Sequence, residues 1–415
     1  MRAAIIGGGA SGLFAACLLA RAGVETLLLE KQSRVGRKLL STGNGRCNLS
    51  NLNASPADYH GDARYVRAAL EALPPRAAVA FFESIGLLCA PDEAGRVYPL
   101  SNQAAGVLDA LRLCAGEAGA RIETEFDAVK VARRGGSFRI LAADGRSADA
   151  DFVLVAAGGM AAPKLGGGPG GYRLLENLGH DIAPRLPAIA ALRTQGDALR
   201  ALKGIRMHGE LTLLCGTKAL RREEGEILFS ENGVSGIAAM QLAREVNLAA
   251  RQGRSCALKM NFLPGAPKDL IDRRARMLPL RTMEDFLSGI VPRRLGQVLV
   301  KQAGVQPLSL TARELSAAQR DAIYETLTGW TLNVQGTLGF EQAQVTCGGA
   351  ALSDFHPDTL ESRRVPGLFA AGEVLDVDGD CGGFNLQWAW ASAHLAAREI
   401  LRRCTGETNF AGVHT

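Results

Sequence analysis

Apolar and polar positions at the start of the chain fall into blocks that predict a strand, a helix and a second strand. Residues 3–6 form a short all-apolar run, residues 7–12 a glycine-rich turn, residues 13–21 a longer segment that is apolar up to Arg21, and residues 26–29 a second short segment in which three leucines follow Thr26. Short continuous apolar runs are typical of strands that are covered on both faces. The order of the blocks therefore predicts a βαβ unit with parallel strands.

The pattern along the rest of the chain predicts a domain that is interrupted by an insert. Gly, Ser and Asn concentrate in residues 35–51, which indicates a loop, and the segments that follow up to residue 119 have helical patterns. The composition changes after Pro187, and a strand and a helix return only near the end. The remaining predicted strands are 126–131, 138–142, 152–157, 192–194, 210–214, 336–346 and 367–371, and the predicted helices are 268–302, 311–327 and 385–403. We predict a discontinuous nucleotide-binding domain with a mixed β and helical insert.

Composition places the chain among ordinary globular proteins. Its 415 residues suggest two or three domains, and 47% hydrophobic and 21% charged residues exclude a disordered or fibrous chain. The longest early apolar stretch, residues 13–20, is too short to cross a bilayer, and no signal-peptide pattern precedes it. We expect a cytoplasmic protein with no membrane partner.

Cysteine and histidine usage disfavours metal and disulfide chemistry. The nine cysteines contain no Cys-x-x-Cys pair, and the six histidines show no spacing that suits a metal. The absence of a local dithiol also argues against a thioredoxin-reductase type of disulfide exchange. We predict no bound metal.

The glycine turn carries the first chemical signal. Residues 7–12 read GGGASG and match G-x-G-x-x-G between a predicted strand and a predicted helix, and Glu30 closes the next strand. Glycines there allow backbone to approach a pyrophosphate, the helix N-terminus favours negative charge, and the acidic residue accepts hydrogen bonds from a ribose. A glycine turn without a ligand is the alternative. Residues 166–171 also match the motif, but no strand precedes them and Pro169 lies inside, so we predict a loop and no second nucleotide fold for NAD(P)H.

Three further segments resemble a known family. They are residues 36–51 (GRKLLSTGNGRCNLSN), residues 346–349 (TCGG), and residues 367–379 with 382–390 (GLFAAGEVLDVDG and GGFNLQWAW). The chain resembles the bacterial BaiN/RdsA-type flavoproteins, which are YhiN-like and aminoacetone-oxidase-like, over nearly its whole length. The resemblance implies an α/β, two-dinucleotide-binding-type FAD domain with a Rossmann-like βαβ unit, into which a β-barrel-like domain and a small helical domain are inserted. The implied ranges are 1–188 and 346–415 for the FAD domain, 189–255 and 328–345 for the barrel-like insert, and 256–327 for the helical domain.

The motif and the resemblance together imply a set of FAD-binding residues. Phosphate, ribose and adenine contacts fall early in the set, and contacts on the flavin side fall in the loop after the second strand and near the C-terminus. The set comprises Gly7, Gly9, Ala10, Ser11, Gly12, Glu30, Lys31, Gly36, Arg37, Lys38, Asn44, Gly45, Arg46, Cys47, Asn48, Val129, Ala157, Gly158, Gly159, Gly372, Glu373, Asp376, Asp380, Gly383, Asn385 and Leu386.

The C-terminal loop offers candidates for chemistry as well as for binding. Residues 382–384 open the last helix, whose N-terminal amides could face the flavin edge that becomes negative on reduction. Asp376 and Asp380 do not fit a calcium loop, and we expect one of them to bind ribityl hydroxyl groups. Cys381 is the candidate catalytic residue, as the proton donor to a carbon opposite hydride transfer. A small residue that fills space is the alternative for Cys381, and also for Cys47.

These features predict an FAD-dependent oxidoreductase. In this hypothesis NAD(P)H or another transient donor reduces the flavin, which passes hydride to an unsaturated C=C small-molecule substrate. The alternatives are reduction of uridine in ribosomal RNA, amine oxidation with oxygen, and a flavin-binding protein without turnover. Residues 268–301 hold eight basic and four acidic residues, a net charge of +4 that could follow an RNA backbone. We favour a solvated mixed-charge surface for this segment, and hence a small-molecule substrate.

Overall fold

A computed structural model describes residues 1–194 and 196–406 of the chain. Its strands are β1 (Arg2–Ile6), β2 (Glu25–Leu29), β3 (Ser50–Asn51), β4 (Tyr59–His60), β5 (Cys89–Pro91), β6 (Arg96–Pro99), β7 (Arg121–Glu123), β8 (Ala128–Arg134), β9 (Ser137–Ala142), β10 (Ser147–Ala150), β11 (Phe152–Val155), β12 (Leu186–Ala188), β13 (Leu192–Thr194), β14 (Arg206–Cys215), β15 (Lys218–Ser230), β16 (Gly233–Ser235), β17 (Cys256–Asn261), β18 (Trp330–Thr337), β19 (Val345–Cys347), β20 (Leu368–Ala370) and β21 (Asp378–Gly379).

The α-helices and the short 3-10 helices connect these strands. The α-helices are α1 (Ala10–Arg21), α2 (Ala63–Ala72), α3 (Pro75–Ser84), α4 (Ala104–Glu117), α5 (Gly170–Asn177), α6 (Asp197–Leu202), α7 (Ile237–Gln241), α8 (Ala243–Arg251), α9 (Leu270–Met277), α10 (Arg293–Gln302), α11 (Ala317–Gly329) and α12 (Phe384–Thr405). The 3-10 helices are Leu39–Gly45, Pro56–Asp58, Pro163–Leu165, Ala312–Glu314, Leu352–Asp354 and Gly372–Val374.

Contacts divide the chain into two units. The first unit comprises Met1–Leu186 and Gln344–Thr415, and the second comprises Pro187–Ala343. The finer division of the insert into a barrel-like and a helical domain stays a prediction. The last residues of the predicted FAD domain, 407–415, and residue 195 of the predicted barrel-like insert lie outside the described residues.

The first unit is built on a five-stranded sheet in the order β20-β11-β1-β2-β7. All four neighbouring pairs are parallel, and Ile5 in β1 is in register with Leu154 on one side and Leu28 on the other. The inner strands are buried almost throughout because helices cover the sheet. The predicted Rossmann-like α/β fold is confirmed.

Two apolar helices complete the core of this unit. Helix α1 packs against α12, and both bury most of their residues. The Phe14 ring on α1 lies 4.5 Å from the Phe81 ring and 5.5 Å from the Trp390 ring on α12. Because Trp388 is buried as well, both tryptophans of the last helix pack in the core.

The second unit contains a closed antiparallel barrel in the order β13-β16-β15-β14-β17-β18. Leu211 and Leu213 in β14 pair with Met260 and Leu258 in β17, and all four are fully buried. Every second residue of a barrel strand points to the interior, which accounts for their burial. The predicted β-barrel-like architecture is confirmed. Strand β17 corrects the predicted start of the helical segment at residue 256, because its period-2 pattern places it in the barrel.

Two sequence expectations fail where proline and glycine interrupt or begin helices. The single helix predicted at 268–302 is two helices, α9 and α10. The segment that connects them contains Pro279, Pro292 and Gly289, whose φ is +85°, and these residues do not continue a helix. The loop predicted at residues 166–171 holds the start of α5, whose first residue is Gly170 and whose N-cap is Pro169.

Candidate functional site

The turn between β1 and α1 is closed so tightly that two of its glycines admit no side chain. A Cβ built on Gly12 would lie 1.9 Å from the carbonyl oxygen of Gly7, and one built on Gly7 would lie 2.5 Å from that of Ala156. Gly7 also has φ +110°, which other residues rarely adopt. Close packing of the helix against the sheet therefore depends on glycine at both positions.

Gly9 differs from its neighbours because it faces open space. No described atom lies within 4 Å of a Cβ built on Gly9, which is the N-cap of α1. No side chain caps this helix, and its first turn carries no acidic residue. The first N–H groups of an α-helix have no intrahelical partner and carry partial positive charge. Open space beside such donors fits a phosphate group.

Glu30 follows β2 and holds the glycine turn in place. The Gly8 N–H donates to its Oε2 at 2.7 Å, and the Gln32 N–H donates to its Oε1 at 2.7 Å. The residue is 9% exposed. Each carboxylate oxygen has a second lone pair, with which Glu30 can still accept a hydrogen bond from a ribose hydroxyl group, as predicted. Motif spacing did not reveal that Glu30 also positions the turn.

The polar loop after β2 is tied to the glycine turn and to the segment after β11. The Gly36 N–H donates to the carbonyl oxygen of Gly8 at 2.8 Å, and Arg37 Nη2 donates to the carbonyl oxygen of Lys164 at 2.9 Å. Arg37 Nη1 donates to Gln32. The loop then makes a sharp reversal through left-handed residues, namely Gly43, Asn44, Gly45 and Cys47.

Of two neighbouring predicted residues in this loop, Cys47 is buried and Arg46 is exposed. Cys47 is fully buried, and burial raises the pKa of its thiol to about 12. The guanidinium of Arg46 lies 5.0 Å from the centre of the Tyr98 ring, a cation–π contact. A neutral buried thiol fits the space-filling alternative for Cys47 better than a reactive one.

Glu373 joins four segments of the first unit. Lys38 Nζ donates to its Oε2 at 2.5 Å, and the Thr346 N–H donates to its Oε1 at 2.9 Å. Thr346 Oγ1 in turn accepts from the Met160 N–H at 2.8 Å. A Cβ on Gly159 would lie 2.4 Å from Glu373 Oε1 and 2.5 Å from Thr346 Oγ1, so a larger residue there would displace these side chains. Thr346 was not a predicted site residue, although its TCGG segment was among those that carried the resemblance.

The segment after β20 lies directly against the start of α1. A Cβ on Gly372, which has φ +75°, would lie 2.2 Å from Ser11 Oγ. The Gly372 N–H donates to Ser392 Oγ at 2.9 Å, and its carbonyl oxygen accepts from Trp388 Nε1 at 3.1 Å. Helix α12 therefore fixes this segment beside the helix that carries the glycine turn.

The N-terminus of α12 meets the polar loop at Gly383. A Cβ there would lie 2.4 Å from the carbonyl oxygen of Ser50 and 2.7 Å from Asn48 Oδ1, and the φ of Gly383 is +99°. Asn48 Oδ1 is buried and has no hydrogen-bond partner among the described atoms. A buried polar oxygen without a partner is costly, so a donor from a bound molecule would be favourable here.

The loop before α12 places Cys381 between charged residues. Asp380 Oδ1 lies 3.2 Å from His60 Nε2, and Asn51 Nδ2 donates to the carbonyl oxygen of Gly382 at 3.0 Å. Burial raises the pKa of the Cys381 thiol above its ordinary value, while the nearby charge of Arg96 opposes the shift. The thiol is therefore protonated at neutral pH. His60, Asn51 and Arg96 were not predicted, because only the fold brings them to this loop.

Asn385 has its side chain committed to the loop itself. Its Oδ1 accepts from the Gly379 N–H at 2.9 Å, and its Nδ2 donates to the carbonyl oxygens of Gly379 at 2.7 Å and Asp380 at 3.3 Å. Asp376 lies in the same loop, and Leu386 is partly buried against the core. Asn385 thus has a clear role in positioning the loop.

Val129, the predicted adenine contact, lies at a bulge in β8, three residues after a residue that is hydrogen-bonded to Glu30. Ala128 pairs with Ala142 and Lys130 with Leu141, so Val129 has no partner in the ladder of β8 and β9. The strand approaches Glu30 because the Phe126 N–H donates to the carbonyl oxygen of Glu30 at 2.9 Å. Such bulges expose backbone groups to a ligand.

All of the predicted cofactor-binding residues belong to the first unit. Ala10 is the first residue of α1. Gly158 has φ +70°, and no described atom lies within 4 Å of a Cβ built on it. Lys31 Nζ lies 3.5 Å from a Cβ built on Gly168. Ala157 packs against Gly171, where a Cβ would lie 2.7 Å from the Ala157 Cβ. Roles in binding for these residues stay predictions.

The basic segment 268–301 lies in the second unit and is largely paired with its own chain. Arg273 lies 3.2 Å from Asp269, and Arg293 lies 2.6 Å from Asp285 and 2.8 Å from Glu284. Arg274 is half-buried, its Nη2 donates to the carbonyl oxygen of Ser288 at 2.6 Å, and burial lowers its pKa. These contacts leave fewer cations to follow an RNA backbone than the sequence suggests.

Within residues 1–194 and 196–406, none of the helices combines the length and the apolar character needed to cross a membrane. The same described ranges contain no group of three or more His, Cys, Asp or Glu side chains that could hold a metal ion.

Comparisons with known proteins match nearly the whole chain. The model of the HI0933-like protein Rossmann domain matches residues 1–399. The 3-dehydro-bile acid delta(4,6)-reductase of Clostridium scindens is 35% identical over 97% of this chain and 99% of that protein. The ribosomal RNA dihydrouridine synthase of Escherichia coli is 28% identical over 96% of this chain and 98% of that protein. A 3-ketosteroid-delta4-(5alpha)-dehydrogenase structure from Rhodococcus jostii has a TM-score of 0.45 at 16% identity, covering 95% of this chain and 96% of that one.

Proposed function

Because this chain belongs to the HI0933-like family, we propose that it is an FAD-dependent oxidoreductase that reduces a C=C bond in a small-molecule substrate. The observation that carries the proposal is the full-length identity of 35% to a delta(4,6)-reductase, joined to a nucleotide cradle in the first unit. The names of both relatives describe the addition of two hydrogens across a C=C bond.

The first unit offers features that fit FAD. Open space at Gly9 beside the N-terminus of α1 suits a pyrophosphate, and Glu30 with the bulge at Val129 suits the adenosine part. The buried, unpartnered Asn48 Oδ1 beside Gly383 suits a donor on the isoalloxazine ring. When bound, FAD supplies a hydride for the reduction. We propose NAD(P)H or another transient donor as the source of electrons.

Reduction of a conjugated C=C bond needs a proton as well as a hydride, and we propose that Cys381 supplies it. Its thiol stays protonated at neutral pH because burial raises its pKa. The thiol lies in the loop that leads to Gly383, close to the Asp380–His60 pair. A donor of this kind adds about 10²- to 10⁴-fold to a rate.

The central experiment measures reoxidation of the reduced flavoprotein without oxygen. The bound flavin is reduced, and its absorbance is followed after mixing with a 3-oxo steroid that carries a conjugated C=C bond, with ribosomal RNA, or with buffer. Reoxidation by the steroid that yields the saturated product supports the proposal. Reoxidation only after admission of oxygen, with no response to either acceptor, would refute a C=C reductase.

The role of Cys381 is tested with Cys381→Ser and a matched Cys404→Ser control. We expect Cys381→Ser to leave flavin reduction intact and to slow reoxidation by the alkene about 10²-fold or more. The wild-type rate should fall as the pH rises through the raised pKa of the thiol. Equal reoxidation rates in the two variants would mean that Cys381 only fills space.

Ribosomal RNA is the second candidate substrate, because relatives at 28% identity bear the name ribosomal RNA dihydrouridine synthase. A test of RNA binding must leave Arg274 unchanged, because its guanidinium holds backbone carbonyl oxygens of its own unit. Lys268, Arg276 and Arg294 are exposed, and their replacement by Ala should flatten the dependence of log K on log salt by about 0.7–0.9 per lost phosphate contact if RNA binds there. An unchanged slope would remove this segment as an RNA-binding surface.

A further inference from the structure

Two cysteines that are 97 positions apart in sequence meet where α1 packs against α4. Cys17, in the second turn of α1, is fully buried, and its Sγ donates to the carbonyl oxygen of Leu111 at 3.0 Å. Leu111 and Cys114 are three positions apart on α4 and therefore lie on one side of that helix. Cys17 and Cys114 therefore lie close enough for each thiol to shift the pKa of the other.

The two thiols differ in exposure and in electrostatic surroundings. Cys114 is partly exposed, whereas Cys17 is sealed inside the core. The neighbouring Cys17 side chain, followed by the charge of Arg21 on α1, lowers the pKa of Cys114 to about 7, although partial burial and Glu117 on α4 oppose the shift. The same contact and burial raise the pKa of Cys17. One accessible thiolate beside one buried thiol is the arrangement of a reactive and a resolving cysteine.

We propose that Cys114 and Cys17 form a peroxide-reactive dithiol. The Cys114 thiolate attacks one oxygen of hydrogen peroxide, the O–O bond breaks, and hydroxide leaves as a sulfenic acid forms. The Cys17 thiol then gives its proton to the sulfenic oxygen as its sulfur attacks the Cys114 sulfur, so that a disulfide forms and the oxygen leaves as water. The hydroxide of the first step becomes water by taking up the proton that Cys114 lost on ionisation. Two thiols are oxidised to one disulfide, and one peroxide is reduced to two waters.

The barrel of the second unit provides a second thiol pair as an internal comparison. Cys215 and Cys256 are directly opposite each other in the antiparallel ladder of β14 and β17. Burial raises the pKa of Cys256, and the neighbouring Cys215 raises it further. Cys89, which is partly exposed like Cys114, has its pKa raised to about 12 by burial. These thiols should react slowly because the thiolate is the nucleophile.

The test uses the full-length holoprotein, reduced and then freed of reductant. It is treated with one equivalent of hydrogen peroxide, alkylated, digested without reduction and analysed by mass spectrometry. We expect peptides containing Cys17 and Cys114 to appear joined, with the loss of two hydrogens. In Cys17→Ser, which keeps a donor for Leu111, we expect a sulfenic acid at Cys114 that dimedone traps. Arg21→Met should slow alkylation of Cys114 at pH 7 about threefold or more, since the thiolate fraction falls.

Several results would overturn the proposal. They are a Cys215–Cys256 disulfide formed in equal or greater yield, alkylation of Cys114 no faster than that of Cys89, or no linkage between Cys17 and Cys114 while peroxide is consumed. Failure of dimedone to label Cys114 in Cys17→Ser would also count against it. None of these measurements depends on the reaction proposed above, because each detects thiol chemistry and not turnover.

Discussion

Replacement of Gly9 separates cofactor binding from folding. Gly9 has φ −84° and ψ −163°, an extended conformation that any L residue adopts, and its would-be Cβ meets no described atom within 4 Å. Gly9→Val should therefore change the free energy of unfolding of the apoprotein by less than about 1 kcal/mol, the scale of an N-cap effect. Its side chain would occupy the space beside the first N–H groups of α1.

The expected cost to FAD binding follows from the hydrogen bonds that become blocked. Loss of one charge-assisted hydrogen bond to a phosphate costs about 1.5–3 kcal/mol, which is about a 10- to 150-fold rise in Kd. The matched control is Gly12→Ala, whose Cβ would lie 1.9 Å from the Gly7 carbonyl oxygen. This smaller substitution should destabilise the protein itself by at least about 1–3 kcal/mol, because backbone atoms must move.

Two measurements on the same samples decide the matter. Thermal unfolding of the apoproteins reports stability, and titration with FAD followed by flavin fluorescence reports Kd. We expect a wild-type melting temperature with weak FAD binding for Gly9→Val, and a lowered melting temperature for Gly12→Ala. A wild-type Kd in Gly9→Val would refute the assignment of the pyrophosphate to this turn.

The other residues of the site give three further predictions. Glu30→Ala should lower the stability of the apoprotein by about 1–3 kcal/mol in urea unfolding, because it leaves the Gly8 N–H without its acceptor; an unchanged midpoint would contradict this. Lys38→Met and Glu373→Gln should show a coupling of at least about 0.5 kcal/mol in a double-mutant cycle of FAD binding, and strict additivity would mean that the pair does not act together. Asn48→Ala should weaken FAD binding by about 1 kcal/mol without lowering the melting temperature, since its Oδ1 has no partner among the described atoms; loss of stability without loss of affinity would exclude it from the site.

Tertiary contacts gave several predicted residues a different or an additional role. The G-x-G-x-x-G spacing correctly located the turn, but it could not reveal that Glu30 accepts from the Gly8 N–H. The resemblance selected Asn385, yet its amide is committed to its own loop. The count of charges in residues 268–301 suggested a cationic surface, whereas Arg274 is turned inward to backbone carbonyl oxygens. In each case a specific hydrogen bond decides the role, and neither motif spacing nor charge counting reveals which groups are bonded.

The sequence by itself determined the parallel βαβ unit, the glycine turn and the last core helix. Short apolar runs, glycine spacing and helical periodicity are local properties, and a strand buried on both faces can be recognised without knowing its neighbours. Only the tertiary structure decided which distant residues meet. It joined Lys38 to Glu373, set His60 beside Asp380 and brought Cys17 to Cys114, although no Cys-x-x-Cys exists in the chain. The physical reason is that hydrogen bonds and pKa shifts depend on separations of a few ångströms in space, and sheet order and helix packing set those separations independently of distance along the chain.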